Sequence, residues 1–284
     1  MQNFTASDGA RIAYADQGHG RPLVLLHGLM AHRGFFKAQS ALAESFRIVT
    51  VDLRGHGDSR AQTGLTIDQL AEDVAGLAAA LGLEDAIGIG WSLGASVLWR
   101  MLTGPASARF AGAVIVDMTP RVMNDGGWTL GLSREACEAR RQAIEGDFHS
   151  FATNAGEAIF AQPGTEAPGA NGRGDAAAWA GAEFARNDPR AISALWSSLM
   201  QADFRDALAR IRQPTLIVHG AHSHLYGADT ADHIGAAIPN SRIMRFESSG
   251  HSPHLEQPDL FNAAIHDFAA SLPKTQTIQS HASV

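Results

Sequence analysis

The chain has 284 residues, of which 45% are hydrophobic, and this length and composition predict a globular protein with one large core rather than a disordered chain. Its net charge of -7 argues against a nucleic-acid partner, because nucleic-acid-binding domains normally present a basic surface. The single cysteine, Cys137, excludes an internal disulfide.

The N-terminal segment, Met1 to Thr5, has neither a basic start nor an apolar run, so no secretory signal is expected. Nowhere do about 18 apolar residues follow one another, and therefore no membrane span is expected. Together these observations predict a cytoplasmic protein.

Short apolar runs alternate with segments of helical period, a pattern typical of a largely parallel sheet with helices on both faces. Thr66 is expected to cap a helix that Gly82 ends. In chain order, the predicted elements are a hairpin over 4–8 and 11–16, strands over 22–27 and 47–52, a helix over 66–81, strands over 86–89, 113–117, 214–219 and 242–246, and a closing helix over 256–272.

The alternation stops after Asp117 and resumes at Pro214. A long, mostly helical insertion between two core strands predicts a cap over the strand ends, where open α/β sheets bind ligands. The insertion contains a loop-like interval over 163–174 and three tryptophans, Trp128, Trp179 and Trp196. The predicted organisation is a core over 1–119 and 213–272, a cap over 120–212 and a flexible tail over 273–284.

The segment Gly90-Trp91-Ser92-Leu93-Gly94 joins a predicted strand to a helix-like stretch. So sharp a turn leaves no room for a Cβ on either side of the serine, which explains the two glycines. The turn would expose the Ser92 hydroxyl at the end of the sheet and direct the first helix amides at the group under attack. The segment predicts a nucleophile, although a glycine-flanked turn without chemistry fits the same residues.

Acyl transfer by a serine also needs a base, an acid that orients the base, and donors for the oxyanion. His251 is the predicted base, because it lies in a Gly/Ser/Pro loop after the last strand. His27-Gly28 follows an earlier strand, and the next residue, Leu29, supplies the first expected oxyanion donor through its amide. The amide of Leu93, directly after Ser92, is the second. His27 itself is expected to brace this loop.

Four motifs in this order resemble the α/β-hydrolase superfamily: Gly90 to Gly94, His27-Gly28, Asp52 to Ser59 and Gly250 to Glu256. The resemblance covers nearly the whole chain. It implies the α/β-hydrolase fold, a mostly parallel eight-stranded sheet with a helical cap inserted after the sixth strand. It also implies a serine hydrolase that needs no cofactor.

The chain departs from the superfamily pattern at the triad acid. Most members place an aspartate in a Gly-x-x-Asp motif after the seventh strand, where this chain has Ser223. The resemblance to certain short-chain esterases makes Asp117, at the end of the sixth strand, the predicted acid, while Asp229 and Asp232 stay as alternatives. Asp117 could instead only cap its turn. Ser223 is expected as an auxiliary residue that hydrogen-bonds to the acid or to the histidine.

These residues predict a serine carboxylic-ester hydrolase that acts through an acyl-enzyme on small to medium acyl esters. The predicted substrate pocket consists of His27, Gly28, Trp91 and Trp128. Lactonase and thioesterase activities are alternatives of the same chemistry, and a non-catalytic ligand receptor is the alternative from another class. The oligomeric state stays open.

An acyl-carrier-protein methyl-ester esterase is a further alternative, because Gly-Trp-Ser-x-Gly resembles the esterase of biotin synthesis. Three arginines of the insertion are the candidate contacts to an acidic carrier: Arg134, Arg140 and Arg141. No metal is expected, because the histidines of the 219–233 region lack helical His-x-x-x-His spacing and thiolate support.

Overall fold

The computed structural model describes residues 1–161 and 173–273. Eight strands of the described chain form one sheet: β1 (Gln2–Thr5), β2 (Arg11–Gly18), β3 (Arg21–Leu26), β4 (Phe46–Val51), β5 (Ala86–Trp91), β6 (Phe110–Val116), β7 (Thr215–Gly220) and β8 (Ser241–Phe246). The strand order is β1-β2-β4-β3-β5-β6-β7-β8. Pairing is antiparallel for β1 with β2 and for β2 with β4, and parallel from β4 to β8.

Helices connect these strands: α1 (Ile67–Ala80), α2 (Leu93–Leu102), α3 (Arg134–Gly146), α4 (Phe148–Ala158), α5 (Arg173–Phe184), α6 (Pro189–Gln201), α7 (Arg205–Leu208), α8 (Ala228–Ala237), α9 (Pro253–Glu256) and α10 (Pro258–Ser271). Helices α3 to α7 lie between β6 and β7 in the chain. None of the helices in the described ranges is both long and apolar enough to cross a membrane.

The local chemistry of the chain accounts for the main elements. Strands β5 and β7 are buried along their whole length, as expected for parallel strands covered on both faces. Helix α1 begins where the Thr66 side chain accepts a hydrogen bond from the Gln69 amide, and it buries Leu70, Val74 and Leu77 at helical spacing. The predicted helix and its N-cap are therefore confirmed.

The closing helix differs from the prediction of one continuous helix over 256–272. It is two helices, α9 and α10, separated at Gln257, which has φ -131 and ψ 60. The break follows from Pro258, because a proline disfavours helical geometry at the residue before it. The predicted interval over 163–174 lies outside the described residues except for 173 and 174, which begin α5, and the predicted tail lies outside them beyond 273.

The sheet order brings the carboxyl ends of β5, β6, β7 and β8 side by side. Trp91 pairs with Val116, and Val116 pairs with Val218. The residues that follow these strands, Ser92 and Asp117, therefore leave the sheet at one edge, beside the loop that carries His251 after β8.

Candidate active site

The turn between β5 and α2 holds Ser92 in an unusual backbone conformation, with φ 52 and ψ -120. A Cβ on Gly94 would collide with the carbonyl oxygen of Leu26, and one on Gly90 would lie 2.5 Å from the carbonyl oxygen of Gly94. The prediction that neither glycine can carry a side chain is therefore confirmed. A non-glycine residue held at positive φ costs on the order of 1–3 kcal/mol, and such strain clusters at functional sites.

Asp117 is surrounded by hydrogen-bond donors. Its Oδ1 lies 2.9 Å from His251 Nδ1 and accepts a hydrogen bond of 2.8 Å from the Ser223 hydroxyl. Its Oδ2 accepts a hydrogen bond of 3.2 Å from the Gly220 amide and lies 3.2 Å from His219 Nδ1. The structure thus brings Asp117, His251 and Ser223 together, and it adds His219, which the sequence did not single out for this role.

Asp117 is only 4% exposed, and its side chain is fully buried. Burial raises its pKa, but the hydrogen bonds and positive potential of His219 and His251 outweigh burial and hold the pKa below its ordinary value. Asp117 therefore stays ionised at neutral pH, which is the state needed to stabilise a protonated imidazole.

The two alternative acids lie elsewhere. Asp229 is exposed in the first turn of α8, and Asp232 forms an exposed ion pair of 2.8 Å with Arg245. The carboxylate that contacts the His251 ring therefore belongs to Asp117 and not to either alternative.

Ser92 and His251 line one cavity of about 230 Å³. Within the described ranges, the Ser92 hydroxyl makes no hydrogen bond to the ring of His251. Catalytic hydrogen bonds of this kind often tighten only when substrate binds. Most of the lining is apolar and comes from the loop after β3 and from α4 and α6. Besides Ser92 and His251, its polar groups are Arg140, Asn154 and Tyr226.

Two of the four residues predicted for the substrate pocket line this cavity. Gly28 and Trp91 line the cavity, as does Leu29. His27 does not, because it lies fully buried beneath the loop, where Nε2 accepts a hydrogen bond of 3.0 Å from the Leu53 amide. Burial lowers its pKa to about 3, so His27 is a neutral brace.

Trp128 is also misplaced in the predicted pocket. Its indole donates a hydrogen bond of 2.9 Å to the carbonyl of Arg121, and its ring packs against His233, 4.9 Å away. These contacts hold it in the loop after β6. Among the tryptophans of the insertion, Trp196 lines the cavity instead.

Two contacts position the loop of His251. The Trp91 indole donates a hydrogen bond of 2.8 Å to the His251 carbonyl, so the residue beside Ser92 also holds the loop of His251. Glu256 accepts hydrogen bonds from the amides of Gly250, at 2.7 Å, and Ala161, at 2.8 Å. Glu256 therefore ties the histidine loop to the chain that follows α4, a role that its place in the Gly250-to-Glu256 motif could have suggested.

The three arginines of the insertion do not form a common free surface. Arg141 pairs with Glu138 and Glu145 on its own helix, each at 2.5 Å. Arg140 lines the catalytic cavity, and Arg134 is exposed at the start of α3. The predicted carrier-binding set is therefore divided. In the part of the chain that the structure describes, no three His, Cys, Asp or Glu side chains are arranged to hold a metal ion.

Comparisons with known proteins agree with this geometry. The family model described as the Alpha/beta hydrolase family matches residues 23–264. A pimeloyl-(acyl-carrier protein) methyl ester esterase of Xanthomonas campestris pv. campestris (strain 8004) is 30% identical over 260 residues, covering 90% of this chain and 98% of that relative. A non-heme haloperoxidase of Rhodococcus erythropolis is 28% identical and covers 95% of this chain and 100% of the relative. An esterase structure from Exiguobacterium antarcticum has a TM-score of 0.87 at 26% identity, with 95% of this chain and 99% of that chain covered.

Proposed function

We propose that this chain, which belongs to the α/β-hydrolase family, is a serine carboxylic-ester hydrolase that acts through an acyl-enzyme. One observation carries the proposal: the ionised carboxylate of Asp117 contacts His251 at 2.9 Å, and His251 lines the cavity that holds the strained Ser92. Its esterase relatives support the same class of reaction.

In the proposed reaction, the Ser92 oxygen attacks the ester carbonyl while His251 takes the hydroxyl proton. Asp117 holds the imidazole through Nδ1 and offsets its positive charge. The carbon–oxygen bond to the alcohol then breaks, and His251 gives its proton to the leaving oxygen. A water molecule, deprotonated by His251, next attacks the acyl-enzyme and releases the acid and the Ser92 hydroxyl. No cofactor enters either step.

We assign the oxyanion to the backbone amides of Leu29 and Leu93. Leu93 begins α2 directly after Ser92, where helix amides are unpaired and attract negative charge. Gly28 lies against the nucleophile, since a Cβ at this position would stand 3.2 Å from the Ser92 Cβ. The next residue, Leu29, lines the same cavity. Both amides thus belong to chain segments that border the reacting carbon.

The cavity supports a small to medium acyl group. Its volume of about 230 Å³ lies below the roughly 300–1,000 Å³ typical of drug-sized ligand sites. In this proposal the helices between β6 and β7 act as the cap predicted over 120–212, because α3, α4 and α6 supply Arg140, Ala155 and Trp196 to the lining.

The similarity to methyl-ester esterases that act on a carrier-bound acyl group favours one second candidate, an acyl-carrier-protein methyl-ester esterase. This function predicts a kcat/KM for a carrier-bound methyl ester at least about 100-fold above that for the same free methyl ester, from binding energy outside the cavity. Equal values would exclude it.

The test of the proposed function is hydrolysis of p-nitrophenyl butyrate together with labelling by a fluorophosphonate. Ser92→Ala should lower kcat/KM by at least about 1,000-fold and abolish labelling, because both need the activated hydroxyl. Ser40→Ala, which removes an exposed serine on the 3-10 segment Arg33–Glu44, is the matched control. Unlabelled wild-type protein that still binds ester would instead indicate a ligand receptor.

A further inference from the structure

The catalytic cavity contains a cation without an acidic partner. Within the described ranges, Arg140 is the one guanidinium or ammonium group in the lining, and no carboxylate shares that lining. Arg140 forms no ion pair with any described residue. The other two arginines of α3 differ from Arg140, since Arg141 forms an ion pair with Glu145 and Arg134 is exposed.

Other arginines with limited exposure are paired in this protein. Arg54 is bound by Asp73 at 2.7 Å, and Arg121 lies 3.0 Å from Asp203. Such pairing is expected, because a charge that loses water needs a partner to offset the lost hydration. A half-buried guanidinium in a mostly apolar wall therefore points to an anion that arrives from outside.

Arg140 is also held in place. Its Cζ lies 5.1 Å from the centre of the Trp196 ring, a cation–π contact between α3 and α6. The Trp196 indole in turn donates a hydrogen bond of 3.1 Å to the carbonyl of Cys137, one turn before Arg140. This arrangement fixes the guanidinium before a ligand binds, which lowers the entropy cost of binding.

A second donor faces the same cavity. Tyr226 is only 6% exposed, lines the cavity and makes no hydrogen bond through its hydroxyl to any described residue. Burial raises the pKa of Tyr226 above its ordinary value, so the hydroxyl is protonated and can donate. The hydroxyl is not among the fully enclosed polar atoms of the described chain, so it opens onto the cavity and can donate a hydrogen bond to an acceptor of a bound ligand.

We propose that the site selects esters whose acyl chain ends in a carboxylate, which Arg140 binds and to which Tyr226 donates a hydrogen bond. The substrate class is the half-ester of a short dicarboxylic acid, and the product is the dicarboxylate with the alcohol. This inference rests on the proposed function, since the esterified end must reach Ser92. The rest of the lining is mostly apolar and fits the methylene chain between the ester and the carboxylate of the substrate.

The experiment compares two methyl esters of equal shape: monomethyl glutarate and the branched ester in which an isopropyl group replaces the carboxylate. The readout is the ratio of their kcat/KM values, anionic over neutral. The ratio should exceed one in the wild type and fall about 10- to 100-fold in Arg140→Met, mainly through KM, because a charge-assisted hydrogen bond is lost. Arg140→Lys should retain part of the preference, and Tyr226→Phe should lower the ratio by about 3- to 10-fold.

Arg134→Met is the matched control on the same helix and should leave the ratio unchanged. If Arg140 only supports Trp196, Arg140→Met lowers both kcat/KM values equally, and an unchanged ratio overturns the inference. Thermal unfolding of each variant reports whether the fold is intact.

A binding measurement separates this inference from the proposed function. Calorimetric titration of monomethyl glutarate into Ser92→Ala should show binding that Arg140→Met in the same background weakens about 10- to 100-fold. If this dependence appears but the wild type hydrolyses neither ester, the anion site stands and the esterase proposal falls. If Ser92-dependent hydrolysis occurs without carboxylate preference, the esterase proposal stands and the anion site falls.

Discussion

The carboxyl ends of β6 and β7 lie side by side in the sheet and carry different chemistry. The end of β6 supplies the carboxylate of Asp117, whereas the end of β7 supplies donors to it, from His219, Gly220 and Ser223. The family pattern places the acid after β7, where this chain has Ser223. In the proposed triad the acid stands one strand away, and His219 at the end of β7 helps to lower the pKa of Asp117. The comparison suggests a division of roles in which one strand end provides the charge and its neighbour provides hydrogen bonds to that charge.

The largest effect is expected from Asp117→Asn, which removes the charge from the β6 end. Activity on p-nitrophenyl butyrate should fall about 1,000- to 10,000-fold, because the amide neither offsets the imidazolium nor fixes the ring tautomer. Asp232→Asn, which affects an exposed ion pair with Arg245, is the control and should keep wild-type kcat/KM. Near-normal activity of Asp117→Asn would end the assignment.

A carboxylate placed at the end of β7 would show whether either strand end can present an acid to His251. The double variant Asp117→Asn with Ser223→Asp should recover about 10- to 100-fold of the activity lost in Asp117→Asn. The reason is that residue 223 already reaches within 2.8 Å of the Asp117 atom that contacts His251. Steady-state kcat/KM is the measurement, and no recovery would show that only the β6 end presents an acid to His251.

Substitution of His219 tests whether the end of β7 supports the carboxylate of Asp117. His219→Leu should lower kcat/KM about 10-fold, because Oδ2 of Asp117 loses a buried partner. His219→Gln, which keeps a side-chain donor, should lose less. Wild-type kinetics in His219→Leu would contradict the supporting role.

The same variant has a consequence for stability against acid. A carboxyl whose native pKa lies below its unfolded value stabilises the fold above about pH 4, and this contribution is lost as the pH falls through the native pKa. Removing the His219 donor raises the native pKa of Asp117. The midpoint of acid unfolding should therefore move to higher pH in His219→Leu, as followed by circular dichroism. An unchanged midpoint would mean that His219 does not lower the Asp117 pKa.

The smallest effect is expected from Ser223→Ala. One hydrogen bond of 2.8 Å to Asp117 is lost, which corresponds to about 1 kcal/mol or roughly a fivefold fall in kcat/KM. Ser223→Thr keeps the hydroxyl and is the matched variant. A loss as large as that of Asp117→Asn would assign Ser223 a greater role than support.

The sequence predicted most of the sheet and the centre of the site for physical reasons. Apolar runs identify parallel strands, and the glycines around Ser92 mark a turn in which no Cβ fits. Asp117 could be predicted because it ends a strand, and because certain short-chain esterases that the chain resembles use an acid at this strand end. By contrast, His27 is predicted in the pocket from its place before the oxyanion loop and Trp128 from its place in the insertion, and neither place tells which way a ring points.

For Arg140, too, the sequence does not tell which way the side chain points. The side of α3 that faces the cavity depends on how it packs against α6, through Trp196, and local periodicity does not encode that contact. The support from His219 likewise depends on register between β6 and β7, since Val116 pairs with Val218 and so aligns the residues that follow.

The central claim is that the carboxylate at the end of β6 holds the catalytic imidazole. It is tested most directly by the downfield region of the proton NMR spectrum. The short contact between His251 Nδ1 and Asp117 Oδ1 should give a strongly deshielded ring proton. We predict that this resonance persists in His219→Leu and disappears in Asp117→Asn. Its persistence in Asp117→Asn would contradict the account.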